Sequence, residues 1–320
     1  MRVLLVTSEG ACGIAEHSAY LKESVQAADP SIAITLNAAA LDPEAVTKWS
    51  LDGEDRLVHL NYHAALHSRW TPAHIQRLQS GGKRVLVTWH DSGVPNSDHC
   101  RSIHAVADAF VVHEPCEDLP GAIYWRQGVP APRRPETVLI QRTLGRPLLG
   151  SIGFALPWKQ YHVLAEASAA AGWDLLLIAP TATPEQVAQW QGLNPYTTVM
   201  ASFVPRDLTL GLLTACDATA FMYANCNTGT SGAIRQGIAT RKPVIASNEQ
   251  ACRQNRDLTQ DDLALRAITW IQPDVEHLTE ALSRVRIAPL DSAMVRLADR
   301  DSWQRLGHSY AALYRRLLNG

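Results

Sequence analysis

The chain has 320 residues, 46% of them hydrophobic and 19% charged, with a formal net charge of −2. That length exceeds what one core usually supports and predicts two domains in an ordinary globular protein. The slight negative charge excludes an overall basic field for nucleic acid or anionic lipid, so any such partner would need a local patch.

The six cysteines, Cys12, Cys100, Cys116, Cys216, Cys226 and Cys252, form no C-x-x-C pair. They read as reduced core thiols rather than as disulfides or a zinc site. The opening run "VLLVTS" is too short for a secretory apolar region or a membrane span, so no transmembrane segment and a cytoplasmic protein are expected.

Along the chain, short apolar runs alternate with helix-period segments. The first half offers strands at 2–7, 32–37, 56–61, 84–89, 109–112 and 122–125. Between the first two, Ile14, Leu21, Val25 and Ala28 recur as one face of a helix. Residues 128–147, rich in proline, glycine and arginine, interrupt the pattern and read as a linker. Strands then return at 147–154, 174–180, 197–203, 218–223, 243–247 and 267–271, with helices over 159–171 and 230–240. This alternation predicts two α/β units with parallel sheets and helical crossovers, whose ligands bind beyond the C-terminal strand ends.

Polar residues cluster after these strands. "TSEGACGIAEHSAYL" places Gly10 and Gly13 in a turn before a helix, where backbone N–H groups can approach an anion or sugar closely. The G-x-G-x-x-G spacing of a dinucleotide site is absent, which argues against an oxidoreductase. His63, His90 with Asp91, and His113 with Glu114 each follow a strand. A histidine there can donate to a substrate hydroxyl and titrates near neutrality, although a simple strand-end cap explains any one of them. Lys159 precedes a helix after the strand that ends in Gly153 and Phe154, and its ammonium suits a phosphate oxygen.

"TGTSGAIRQGIATRKPVIAS" (228–247) gathers Thr228, Gly229, Thr230, Ser231 and Gly232 ahead of a helix. Helix N-termini carry unpaired N–H groups and a positive dipole end, so the segment reads as a phosphate cradle without a Walker lysine. Plain N-capping accounts for one hydroxyl but not for the whole group.

Taken in order, "CGIAEHSAYL", "VLVTWHD", "IGFALPWKQYHVLAEA" and "SGAIRQGIATRKPVIAS" resemble the glycine turn, histidine strand end, lysine motif and donor-site helix of the retaining GT-B glycosyltransferases, GT4-like group. "SWQRLGHSYAALYRRLL" (302–318) is similar to that group's closing helix. The resemblance implies an α/β GT-B fold with two Rossmann-like domains facing a cleft. An acceptor domain would span 1–135, a nucleotide-sugar donor domain 136–301, and a helix at 302–320 would return to the first domain.

It further implies that a sugar moves from a nucleotide-sugar to an acceptor with retention, with no cofactor and no obligatory metal. His90 would contact the transferred sugar and Lys159 would neutralise the leaving diphosphate. Gly13, Gly153, Phe154, Thr228, Gly229, Thr230, Ser231, Gly232 and Gln236 would bind the donor, and Glu16, His63, Asp91 and His113 would face the acceptor. That acceptor is open among glycans, lipid-linked sugars and small molecules, with nucleic acid disfavoured by charge. The family's paired glutamates fall at Thr228 and Gln236, and its usual arginine before the lysine has no match, with Arg235 and Arg126 as substitutes. These departures keep two other readings open: an inactive nucleotide-, glycan- or partner-binding protein, and an isomerase or pseudo-glycosidic coupling enzyme.

Overall fold

The computed structural model describes residues 1–319 except 11, 40–41, 64–66, 91–96, 115, 117, 137–139, 141, 225–230, 249–255 and 286–291. The chain forms two compact units: Met1–Gly128 together with Asp301–Gly320, and Val129–Asn227 together with Ser231–Arg300.

The first unit carries the parallel strands β1 (Arg2–Val6), β2 (Ala33–Asn37), β3 (Leu57–Tyr62), β4 (Arg84–Trp89), β5 (Ala109–Val112) and β6 (Ile123–Tyr124). Their spatial order is β2-β1-β3-β4-β5-β6, so the direction of winding reverses between β1 and β3. Helices cover both faces, which is why the strands read as nearly unbroken apolar runs. Side chains alternate in β1 as the pleat requires. Val3 and Leu5 pack with Leu21, Val25, Trp303, Leu306 and Tyr310. Leu4 and Val6 join Val46, Trp70 and Ile75 on the other face.

The closing helix Trp303–Asn319 lies against Gly13–Ala28, and the two together cover one face of this sheet. The crossing is tight because Gly307 brings no side chain to it. A Cβ there would stand 2.5 Å from the carbonyl oxygen of Ser24.

The second unit carries β7 (Leu148–Ile152), β8 (Asp174–Ile178), β9 (Thr197–Met200), β10 (Ala218–Phe221), β11 (Val244–Ser247) and β12 (Ile268–Ile271), again all parallel. The order β12-β11-β10-β7-β8-β9 is that of the Rossmann sheet, with its switch point between β7 and β10. Each of the twelve expected strands is present. The helix expected at 159–171 runs over Tyr161–Ala170, and that expected at 230–240 over Gly232–Ala239. Both start where local chemistry sets them, the first after Gln160 in the left-handed region at φ 49 and the second at the Ser231 cap.

Among the described cysteines, Cys100 and Cys216 are core residues, while Cys12 and Cys116 are half-buried, and all four are free thiols. No helix of the described residues is long and apolar enough to cross a membrane.

Two buried histidines of the first unit predict an acid-labile fold. His59 sits between the hydroxyls of Tyr314 (2.7 Å) and Thr88 (2.8 Å), an arrangement a neutral imidazole satisfies by accepting at one nitrogen and donating at the other. Burial, reinforced by His113, lowers its pKa to about 3, and burial lowers that of His67 to about 4, partly opposed by the His63 carbonyl. The unfolded chain therefore binds protons at these sites below about pH 6.5 that the folded chain refuses. Stability is complete above that pH and declines toward about pH 4 for His67 and about pH 3 for His59. Because a tenfold difference in proton affinity is worth about 1.4 kcal/mol, their combined contribution is several kcal/mol by linkage. Urea unfolding midpoints are expected to hold level from pH 7.5 to about 6.5 and to fall steadily from there to pH 5, and a flat profile throughout would refute the assignment.

Candidate functional site

The C-terminal strand ends of the first unit gather three histidines. His90 follows β4 and His113 follows β5, as expected from their positions in the sequence. The third, His17, comes from the helix Gly13–Ala28. Ring centroids lie 4.4 Å apart for His17 and His90, 4.8 Å for His90 and His113, and 5.2 Å for His17 and His113. One ring nitrogen of each lies within 4.8 Å of those of the other two. The Trp303 ring packs edge-on against His17 at 4.7 Å.

Asn61, on fully buried β3, organises this group. Its Nδ2 donates to the Ser18 hydroxyl (2.6 Å) and faces the Ile14 carbonyl (3.3 Å), an acceptor only, which fixes the amide orientation. Its Oδ1 then accepts from His90 Nε2–H. His113 donates Nδ1–H to the carbonyl of Trp125 at 2.8 Å. Burial, and then the neighbouring imidazoles, hold the pKa values of His17 and His90 well below the usual histidine range. Both rings are neutral at physiological pH.

Sequence reasoning named His90 and His113 but passed over His17 and Asn61. A signal for each was present: His17 lies three residues after Ile14 and four before Leu21, on the apolar stripe of its helix, and Asn61, like His59, is a polar residue set in an apolar strand. Polar groups at such positions are buried and need partners. Gly13 is the first residue of the helix and Glu16 stands in its first turn. His63 is half-buried after β3, its N–H 3.0 Å from His67 Nδ1. Asp91 lies outside the described residues.

At the switch point of the second unit, Lys159 ends the short 3-10 turn Pro157–Lys159 and is buried, 8% exposed. Its Nζ lies 3.7 Å from the centroid of the Tyr223 ring, which follows β10. Gly153 leaves β7 with φ +144, a conformation that side chains rarely adopt, and a Cβ there would stand 3.3 Å from Lys159 Cε. The Tyr161 hydroxyl donates to the Gly153 carbonyl at 2.8 Å. Phe154 packs edge-on against Phe203. Among the described residues no carboxylate lies within ion-pair distance of Lys159.

Tyr223, not singled out from the sequence, connects this lysine to the helix Gly232–Ala239. Its N–H donates to Ser247 Oγ at 2.5 Å, and its hydroxyl is 3.0 Å from Ser231 Oγ. Ser231 in turn caps Gly232–Ala239 by accepting from the Ile234 N–H. The same helix lies directly on β10 through Gly237, where a Cβ would meet the Phe221 ring at 2.5 Å.

Gln236 is buried on that helix at 5% exposure. Arg235, expected from the resemblance to supply a missing positive charge, is instead fully buried and ion-paired with Asp257. Arg126 lies over the Tyr124 ring of the first unit. Thr228, Gly229 and Thr230 lie outside the described residues.

No family profile matches the chain, and no curated protein matches it in sequence. Several solved structures do match in fold. AviGT4, a glycosyltransferase involved in avilamycin A biosynthesis, is 16% identical and aligns over 100% of this chain and 98% of its own, with a TM-score of 0.63. The N-terminal domain of the trehalose-6-phosphate phosphatase of Candida albicans aligns over 99% and 96%, at 10% identity and a TM-score of 0.62. The O-GlcNAc transferase of Thermobaculum terrenum aligns over 99% and 67%, at 14% identity and 0.59. The architecture of this chain, two Rossmann-like parallel sheets, is that of the GT-B class.

Proposed function

We propose that the protein is a retaining glycosyltransferase that moves a sugar from a nucleotide-sugar donor to an acceptor hydroxyl without an obligatory metal. The observation that carries this reading is the buried Lys159 ammonium, seated on Tyr223 at the switch point of the second sheet without a carboxylate partner among the described residues. A desolvated cation so placed favours an anionic ligand, and the first N–H groups of Gly232–Ala239 add donors linked to it through Tyr223 and Ser231.

In this reading the donor diphosphate lies against Lys159, Gly153, Phe154, Ser231 and Gly232, with Thr228, Gly229 and Thr230 continuing the loop and Gln236 accepting from the ribose. Residues 136–301 form the donor domain. The acceptor domain, residues 1–135 with the returning helix 302–320, supplies Gly13 for the donor and Glu16, His63, Asp91 and His113 for the acceptor. His90 contacts the transferred sugar. As the anomeric carbon–oxygen bond breaks, negative charge grows on the diphosphate, and preorganised donors stabilise that charge more than they stabilise the bound donor. The glycosyltransferases AviGT4 and O-GlcNAc transferase, of the same fold, support transfer as the chemistry. A glycan, lipid-linked sugar or small-molecule hydroxyl is the proposed acceptor class, and the cytoplasm the proposed compartment.

The neutral residues at Thr228 and Gln236 favour one alternative, a binding protein of the same fold without turnover. Thermal unfolding with UDP, GDP, ADP, CDP and dTDP and their common sugars, with and without EDTA, separates the two. A ligand that binds only the folded state stabilises it by about 2.7 kcal/mol at a hundredfold excess over its Kd. One nucleotide family is expected to raise Tm regardless of chelator, followed by release of free sugar or transfer. Stabilisation without turnover would favour the binding protein, and no stabilisation by any nucleotide would remove the donor site.

A further inference from the structure

We propose that His17, His90 and His113 form a three-imidazole site for a divalent transition-metal ion of the zinc type. The three side chains are 2%, 8% and 1% exposed, and the ring nitrogens they offer converge within 4.8 Å. They come from a helix and from the ends of two neighbouring strands, elements that hold a coordination geometry well. His17 Nε2 is buried and makes no hydrogen bond among the described residues. Such an atom calls for a partner.

The surroundings resemble those of a bound metal. Metal-ligating histidines commonly donate their second nitrogen to a carbonyl or carboxylate, which fixes the tautomer and leaves a lone pair for the ion. His113 does this through Nδ1–H to the Trp125 carbonyl, leaving Nε2 as its base. His90 does it through Nε2–H to Asn61 Oδ1, leaving Nδ1. His17 differs, because its Nδ1 faces Asn61 Nδ2 at 3.2 Å. Binding through its Nε2 therefore requires one proton to move from Nε2 to Nδ1 and the contact with Asn61 to adjust.

Ligand chemistry selects the ion. Three nitrogens with no carboxylate suit zinc, cobalt, nickel or copper and not magnesium or calcium, which take oxygen ligands. Tetrahedral metal–nitrogen bonds of about 2.0–2.1 Å place ligand nitrogens about 3.3 Å apart, so rings whose nitrogens stand up to 4.8 Å apart must turn toward the ion to bind it. Three protein ligands leave one position open, as in catalytic rather than structural zinc sites.

The site also has a consequence that rests on the proposed function. His90 is the residue assigned to the transferred sugar, so an ion that captures His90 withdraws it from the reaction. Transfer needs no metal in that reading, and zinc is then an inhibitor.

The test uses the full-length chain, freed of metal by chelator and dialysis. Co²⁺ is expected to bind at one ion per chain with visible d–d absorption typical of nitrogen ligation, and Zn²⁺ to displace it and raise Tm. His17→Gln and His113→Gln, each retaining a polar side chain, are expected to weaken Zn²⁺ binding by more than the roughly 100-fold typical of losing an outer partner. His67→Gln, a buried histidine outside the trio, is expected to leave binding unchanged. Near-ultraviolet circular dichroism verifies that each variant is folded. Absence of stoichiometric Co²⁺ or Zn²⁺ binding by the native chain overturns the proposal, as does binding that survives the His17→Gln/His113→Gln double variant. Binding without inhibition of donor turnover keeps the metal site and removes His90 from the sugar.

Discussion

Replacing Lys159 by methionine is expected to lower turnover about 100- to 1,000-fold, the scale of losing one charge-stabilising donor at a transition state, while the protein stays folded. Methionine keeps most of the buried stem and deletes only the charge, so the variant separates chemistry from packing. The ammonium stands over the Tyr223 ring, and such a contact contributes about 0.5–2 kcal/mol. Losing it alone costs little stability in a fold with two extensive cores. Tyr223→Leu is expected to reproduce much of the kinetic loss because the ammonium loses its seat. Tyr223→Phe keeps the ring and gives up only the hydroxyl contact with Ser231, so it should retain most activity. The measurement is kcat and KM for donor hydrolysis or transfer beside a Tm for each variant. Unchanged kinetics in Lys159→Met would take the lysine out of the site.

The second large effect concerns stability. Gly307→Ala is expected to destabilise the first unit by about 1–3 kcal/mol, the usual cost of overpacking a well-packed contact. The added methyl would stand 2.5 Å from the carbonyl oxygen of Ser24 and 2.6 Å from its carbon, and these are backbone atoms of a helix that cannot swing aside. Helix propensity pulls the other way by about 1 kcal/mol, since alanine is the better helix former, so the net loss understates the steric one. Gly192→Ala provides the control. It lies in the helix Pro184–Leu193 with no atom within 4 Å of the new methyl, and it should be neutral or slightly stabilising. Thermal denaturation of both variants against the native chain tests the pair. Equal Tm values for Gly307→Ala and the native chain would mean that the closing helix is not pinned by this crossing.

If the crossing matters, it matters for the histidines as well. Trp303, on the same closing helix, packs on His17. It also lies so close to Gly128 that a Cβ at that glycine would overlap its ring. Gly307 and Gly128 thus let one helix approach closely enough to wall in the imidazoles.

Apolar runs of about four to eight residues, each followed by a turn, were enough to read every strand from the sequence, because a parallel sheet covered on both faces demands them. His90, His113 and Lys159 were legible by the same logic, as polar residues placed just beyond strand ends. The Ser231 cap was legible because a hydroxyl before a helix has few other uses. What the sequence by itself determined was thus local: element type, the alternation of strand and helix, and which polar residues end up on the ligand-binding edge of a sheet.

Only the tertiary structure decided which of those residues meet. Strand order is a long-range choice that no window of sequence encodes, and it set β1 beside β3 and β7 beside β10. The first pairing helped bring Asn61 to His17, 44 positions away in sequence, and Asn61 also meets His90, 29 positions away. The second brought Tyr223 beneath Lys159 and turned a solitary lysine into a seated cation. Arg235, which read as a spare positive charge, found Asp257 in the core instead, because a buried guanidinium without a partner is too costly to keep. Periodicity fixes the face on which a side chain lies, and packing between distant segments fixes its neighbours.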